Sequence, residues 1–366
     1  CAGAGRRTAG ATAPGPASRP CLTVVANTLG SVARRIYGQA AAGRNVVDAK
    51  GRLAHSAALV AAVRRADPAA TQAALGPLLK QQIHRIVVWR GSHVLADIGR
   101  TPALAPVRGV VRDTAGRPVG RYLMSVAEQA AISGLMRSTI GADVAVRQPG
   151  QPIPAAAAGG ARILVGARAF PRGRLTIALR LPSSAMTTCG TSAAATVAAT
   201  DGAIAQRLFR TEARGAAVAR VLRHVALDPG FRRAVANDDP VALRAAIVRF
   251  FQTHSLHVVR IRATLPDGRL VGDVGGPYVL APASTTVRDA AGRTIGTVTL
   301  SIQDDTGYIK LLHRFTGARV MLSTPAGMVP GSARSAKSGA AVGHYRFTAE
   351  AFPSGPLDVT LRIPGA

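Results

Sequence analysis

The sequence has little with which to stack on bases, bind zinc or cross a bilayer. Only 4% of its 366 residues are aromatic, and Trp89 is the single Trp. No stretch interleaves basic and aromatic side chains as a nucleic-acid surface needs, so nucleic acid is set aside as a partner. Three cysteines with no CxxC pair exclude a zinc ribbon or a thioredoxin-type motif. No apolar run approaches the ~18 residues that span a membrane. There is no GxSxG, no HExxH and no glycine-rich phosphate loop. His254 and His257 have a spacing that a metal could use, but they straddle a helix-to-strand junction. Their counterpart earlier in the chain keeps only His84. The expectation is a non-catalytic protein with no metal and no cofactor.

Acidic residues are also scarce, 18 against 46 basic ones, for a net charge of +28. Four of the basic residues are Lys (Lys50, Lys80, Lys310 and Lys337), so arginine dominates. One reading is an anionic partner such as membrane phosphate or a wall polymer. The other is a GC-rich genome, whose codons favour Ala, Arg, Gly and Pro. The arginines are scattered rather than clustered, which favours the second.

Cys1 is followed by AGAG and a Pro/Gly/Ala/Ser-rich stretch to Pro20. That pattern fits what remains when a lipoprotein signal peptide is cut before its cysteine. Lipid on Cys1 would then anchor the protein to the cell membrane from outside the cytoplasm, with residues 1–20 as a flexible tether. The alternative is a boundary that falls on a cysteine by chance. Cys21 and Cys189 each open a predicted first helix. In an exported protein they either pair with each other or stay as two buried thiols.

What the chain does have is a repeated hairpin. Val111–Gly120 reads VRDTAGRPVG and Val287–Gly296 reads VRDAAGRTIG, each followed by an apolar strand-like run ending in Ser125 or Ser301. An Asp/Gly turn between two such runs signals a hairpin. Its recurrence signals a duplicated unit. Around it the matches keep their order. Asp67-Pro68 recurs as Asp239-Pro240, each a helix start. Leu104-Ala105-Pro106 recurs as Leu280-Ala281-Pro282, and Ala169-Phe170-Pro171 as Ala351-Phe352-Pro353. His84–Trp89 is matched with His257–Arg262. Helical periodicity covers residues 22–40, 54–65, and a segment beginning at Asp67-Pro68. A two-residue period then marks strands at 85–90, 93–98, 143–147, 163–167 and 175–181. The second unit repeats the order, with helices over 195–210, around Val218–Val225 and after Asp239, and a helix capped by Asp304-Asp305 running to Phe315. The units are 21–182 and 183–366, and the fold class is α+β.

The second unit, through VVRIRATLPDGRLVGDVGG (Val258–Gly276), PYVLAP (Pro277–Pro282) and VRDAAGRTIGTVTLSIQDD (Val287–Asp305), resembles a Cache (PDC, PAS-like) extracytoplasmic sensor domain. The first unit carries a looser version of the same pattern. The resemblance implies, for each unit, an N-terminal helical layer packed on a five- to six-stranded antiparallel sheet. It also implies binding of a small ligand outside the cytoplasm, often an organic acid or amino acid. Such domains usually sit between membrane helices with an output module behind. Neither is present in this sequence, so any signal would pass to a separate, unidentified signalling protein. The Arg, Trp, Tyr and Asp pattern of amino-acid-binding members is not found.

Strand alternation gives one apolar face in both units, Leu175–Leu181 and Leu357–Ile363. The opposite face of the second unit carries Arg260, Arg262, Thr299, Ser301, Arg346, Thr360 and Arg362, with Tyr278 in the adjoining loop. Converging arginines and hydroxyls suit a carboxylate or phosphate, although Arg and Thr are also ordinary on a solvated sheet face. The matching positions of the first unit include Trp89 and Ser125 and are more apolar, so the two units should not share a ligand. Trp89 either stacks on a ligand or fills a core or interface. The other function class consistent with the sequence is an envelope structural or adhesion protein whose basic surface binds anionic polymer or lipid.

Overall fold

The computed structural model describes residues 19–79, 83–155, 161–182, 189–253, 257–277, 279–332 and 341–364. The first half opens with a long helix, α1 (Arg19–Ala42), then α2 (Arg44–Ala54), α3 (Ala57–Arg65) and α4 (Pro68–Leu79). Next come β1 (Arg85–Arg90), β2 (His93–Gly99), β3 (Ala103–Leu104), β4 (Val107–Arg112), β5 (Pro118–Ser125) and β6 (Ala127–Glu128). Helix α5 (Gln129–Ile140) leads to β7 (Asp143–Arg147), β8 (Ala161–Arg168) and β9 (Arg174–Leu181).

The second half runs through the same succession with one extra short strand, Gly327–Met328. Its helices are α6 (Ala193–Arg214), α7 (Ala216–Leu227), α8 (Pro229–Ala236) and α9 (Pro240–Gln252). Its strands begin with β10 (Arg260–Thr264), β11 (Leu270–Gly275), β12 (Val279–Leu280), β13 (Ala283–Arg288), β14 (Thr294–Ser301) and β15 (Gln303–Asp304). Helix α10 (Asp305–Thr316) precedes β16 (Arg319–Thr324), β17 (Gly327–Met328), β18 (Ala341–Glu350) and β19 (Pro356–Pro364).

The expected single five- to six-stranded sheet per unit is corrected to two. A hairpin sheet has the order β2-β1-β5-β4 in the first half and β11-β10-β14-β13 in the second. A terminal sheet has the order β7-β9-β8 or β17-β16-β19-β18, and the pairs β3-β6 and β12-β15 bridge the two. The cause is α5 and α10, which carry the chain from one sheet to the other. The sequence pattern marks a helix before Phe315 but none over Gln129–Ile140, so the strands of the first unit read as one run.

Two further helices, α2 and α8, are not marked by the sequence pattern. Gly43 breaks the periodic pattern, but only as an extended N-cap, and Val46, Ala49 and Leu53 then bury one stripe of α2. Helix α8 is eight residues long, too short for a periodic signal, though Asp228 caps it through the Phe231 amide at 2.7 Å. The same Asp-Pro chemistry caps α4, where Asp67 accepts from the Ala70 amide at 2.9 Å, and α9, where Asp239 accepts from the Val241 and Ala242 amides.

The cores follow from the layers. Helices α2–α4 cover the inner face of the first hairpin sheet through Val46, Leu59, Leu75, Ile86 and Met124. Helices α7–α9 do the same in the second half through Val225, Phe231, Ile247, Ile261 and Leu300. The remaining elements form one core that spans both halves. Val25, Leu29 and Ile36 of α1 pack with Ile204 and Leu208 of α6, with α5 and α10, and with both terminal sheets.

Polar contacts cross this joint reciprocally. Arg35 of α1 donates to the Phe315 carbonyl at the end of α10, at 3.4 Å. Arg207 of α6 donates to the Ile140 carbonyl at the end of α5, at 2.9 Å. Each long helix thereby satisfies orphan carbonyls of a helix in the other half. Gly141 and Gly317 cap those helices with φ of 75° and 79°. A Cβ on Gly141 would sit 2.4 Å from Arg207 Cζ, and one on Gly317 2.7 Å from an Arg35 nitrogen. Cys21 and Cys189 close the joint with a disulfide, Cα atoms 5.8 Å apart.

Candidate ligand-binding site

The alternating pattern of β1 and β10 sets their facing, and the pairing sets their register. Arg85 lies opposite Ser125 and Arg260 opposite Ser301. Arg260 therefore corresponds to Arg85, and the match of His84–Trp89 with His257–Arg262 is two residues out of register. Because the strand period is two, a slip by two leaves every side chain on the correct face, so alternation alone could not expose it.

The corrected register reveals a clamp present in both halves. Arg85 makes a bidentate pair with Asp97 on β2, both contacts 2.9 Å, and its guanidinium lies 5.3 Å from the Phe170 ring centre. Arg260 pairs with Asp273 on β11 at 2.7 and 2.8 Å and lies 5.0 Å from the Phe352 ring centre. The two phenylalanines precede cis prolines, Pro171 and Pro353. Arg260 also donates to the Gly276 carbonyl at 3.2 Å. Its hydrogen-bonding capacity is directed at the fold, and sequence repetition of the Arg, Asp and Phe-Pro positions was the signal that could have found Arg85.

Ser125 and Ser301 are likewise committed. Both are fully buried. Ser125 Oγ donates to the Leu104 carbonyl at 2.5 Å and accepts from the Ala127 amide at 3.2 Å. Ser301 Oγ donates to the Leu280 carbonyl at 2.5 Å and accepts from the Gln303 amide at 3.1 Å. Each hydroxyl stitches its hairpin sheet to the neighbouring two-stranded bridge.

The other expected site residues fall into separate places. Arg262 shares β10 with Arg260 and approaches Asp273 at 3.9 Å. On the same face, the Ser284 and Thr299 hydroxyls are 2.8 Å apart. Arg346 and Arg362 belong to the terminal sheet, where Arg346 donates to Thr360 Oγ1 at 3.3 Å and Arg362 lies opposite Arg319 and His344. Tyr278 and Cys1 lie outside the described residues. The face drawn as one surface from the sequence is thus distributed over two sheets of the second half.

A concave surface with suitable chemistry lies on the corresponding face of the first half, at Trp89. Val87, Leu123 and Ala103 form a small apolar floor with Phe170, and half-buried Trp89 packs against it. Beside this floor is a cleft of about 380 Å³ lined by Trp89, Arg108, Arg121, Leu123, Pro171 and Arg172. The Arg121 guanidinium sits 5.7 Å from the Trp89 ring centre. Pairing puts Trp89 opposite Arg121 and Arg108 opposite Leu123, so the three charged or aromatic groups share one face. Among the described residues no acidic side chain lines the cleft. Its volume lies within the range of small-molecule sites, roughly 300–1,000 Å³. The arrangement suits an anion with a flat or apolar portion: guanidinium groups bind carboxylate or phosphate, and the indole offers a stacking surface. Trp89 is singled out by the sequence. Arg108 and Arg121 are not, because only strand pairing places them, and Arg172 comes near only through the loop at Pro171.

Among the described residues no group of three or more His, Cys, Asp or Glu is placed to hold a metal ion, and no helix is long and apolar enough to cross a membrane. No family model and no curated protein matches the sequence. Among solved structures, the periplasmic domain of Vibrio cholerae LuxQ is matched at 12% identity and a TM-score of 0.30, covering 46% of this chain and 100% of that one.

Proposed function

We propose that this chain is a non-catalytic, extracytoplasmic ligand-binding protein of the sensor type, and that the Trp89 cleft holds a small carboxylate or phosphate compound. The observation that carries the reading is the cleft itself, where three arginines and the single Trp face one hollow with no acid among them. The Cys21–Cys189 disulfide supports an oxidising compartment. The matching element order and strand order of the halves support a duplicated unit, 21–182 and 183–366. Residues 1–20 serve in this reading as the tether of a lipid-anchored protein, and a separate signalling protein receives the output.

Divergence between the halves fits one ligand site rather than two. Where the first half presents Val87 and Trp89, the second presents Arg262 and Thr264 in the corrected register.

The single Trp supplies the test. Titration with organic acids, aromatic acids and phosphorylated metabolites, followed by intrinsic fluorescence and thermal shift, should give saturable change with at least one compound. Arg121→Ala should weaken that compound about tenfold or more, since a charged hydrogen bond is worth roughly 1.5–3 kcal/mol. Absence of any fluorescence response, together with salt-sensitive binding to anionic vesicles, would replace this reading with the envelope-structural one that the net charge of +28 favours.

A further inference from the structure

A second, larger hollow lies where the two halves meet. It is a groove of about 990 Å³ bounded by the end of α1, the start of α2, the end of α4, α5, and α10 of the second half. Its walls are mainly aliphatic and include Ile36, Ala40, Leu79, Ile132, Leu135 and Leu311. Leu135 keeps 41% of its surface exposed there. Leu135 and Leu311 hold equivalent positions in α5 and α10, counted back from the capping glycines Gly141 and Gly317. An occupant would therefore touch both halves through matching side chains.

The mouth of the groove is charged. Arg44, Arg100 and Arg314 border it, with Arg44 3.8 Å from Asp48, and Glu128 is the one acidic residue among the described residues that line it. An apolar trough of this size closed by a basic rim has the complementarity of a detergent-like molecule. The trough removes a hydrocarbon chain from water, and the rim neutralises the head. A compact polar metabolite would leave the aliphatic walls wet, and a cationic amphiphile would meet three guanidinium groups.

We infer that this groove binds a single-chain amphiphile with an anionic head, a fatty carboxylate or an alkyl phosphate. The site is independent of the Trp89 cleft, and fluorescence of Trp89 reads the two apart.

The test is calorimetric titration of the purified chain with octanoate, decanoate and dodecanoate below their micelle concentrations. Dodecyl phosphate, dodecanol and dodecylammonium serve as head-group comparisons. Affinity should rise about fourfold for each added methylene, as burial of a CH₂ group requires. Dodecanoate or dodecyl phosphate should bind at least tenfold more tightly than dodecanol, and dodecylammonium more weakly still. The comparison of the two anions tells which head is preferred. Leu135→Arg, at an exposed position, should abolish binding without lowering the melting temperature, and Arg314→Glu should erase the preference for the anions. Equal affinity for acid, alcohol and amine, no dependence on chain length, or binding that survives Leu135→Arg would each overturn the inference. So would binding of anionic vesicles with no affinity for the monomeric amphiphiles.

Discussion

Asp201 is the residue whose surroundings suit it least. It lies on α6 at the joint with α1, only 2% exposed, and its Oδ1 has no hydrogen-bond partner among the described residues. The equivalent position of α1, counted back from Arg35 as Asp201 is from Arg207, is the buried Leu29. Burial pushes the Asp201 carboxyl up to about 7, with the Arg35 charge offsetting part of the effect. Its folded value is above its unfolded one, so its contribution is fully present below the unfolded value of 3.8 and is lost as pH rises toward 7. The melting temperature should rise as pH falls from 7 toward 5, and Asp201→Asn should flatten that slope. At one pKa unit per 1.36 kcal/mol, the upper limit of the gain from Asp201→Asn at neutral pH is about 4 kcal/mol. Thermal melts of both forms across this pH range decide it; a wild-type slope that persists in the variant would reject the assignment.

Between elements, the informative feature is the arginine clamp that ties each hairpin sheet to a phenylalanine of its own half. The Arg260–Asp273 pair is the more enclosed, with side chains 22% and 15% exposed, against 21% and 40% for Arg85 and Asp97. Removing one partner of an enclosed pair strands the other, so Arg260→Ala should cost about 2 kcal/mol and Arg85→Ala about 1. Denaturant melts of the single variants and of Arg260→Ala/Asp273→Ala should show strong non-additivity, because the two side chains act as one unit. Simple additivity would mean the pair contributes nothing as a pair.

At this scale the sequence was legible wherever a local rule governs. The Asp-Pro helix starts, the VRD hairpins and the apolar faces of β9 and β19 all follow from capping, turn chemistry and a two-residue period. Helix α8 was too short to show a period, and the register of β1 depended on partners in β5. The grouping of strands into two sheets depends on α5, whose N-cap residue Glu128 makes no side-chain capping hydrogen bond. The Trp89 cleft was half visible: the indole could be singled out by its rarity, but Arg172 reaches it only through a loop whose path is set in three dimensions.

Across the whole molecule, the two halves share a core and cap each other's helices, so they should unfold together. Calorimetry should give a single transition rather than one per half. The disulfide joins residues 168 positions apart. By the chain-entropy estimate a loop of that length is worth about 5 kcal/mol, and engineered cross-links often deliver less. Reduction, or Cys189→Ser, should lower the melting temperature by several degrees while leaving the far-ultraviolet spectrum at low temperature intact. A transition unchanged by reduction would show that packing of α1 on α6 suffices alone.

The place of that cross-link also determines how the molecule bears a load. Cys21 stands near the leading end of α1, and Cys189 just ahead of α6. Tension between the start of α1 and the far terminal sheet would cross directly from Cys21 to Cys189. Residues 22–188, including the Trp89 cleft, would be bypassed. While the bond is intact, pulling would load the second half along its backbone, and strain would reach the first half only through the core and the helix-end hydrogen bonds that the halves share.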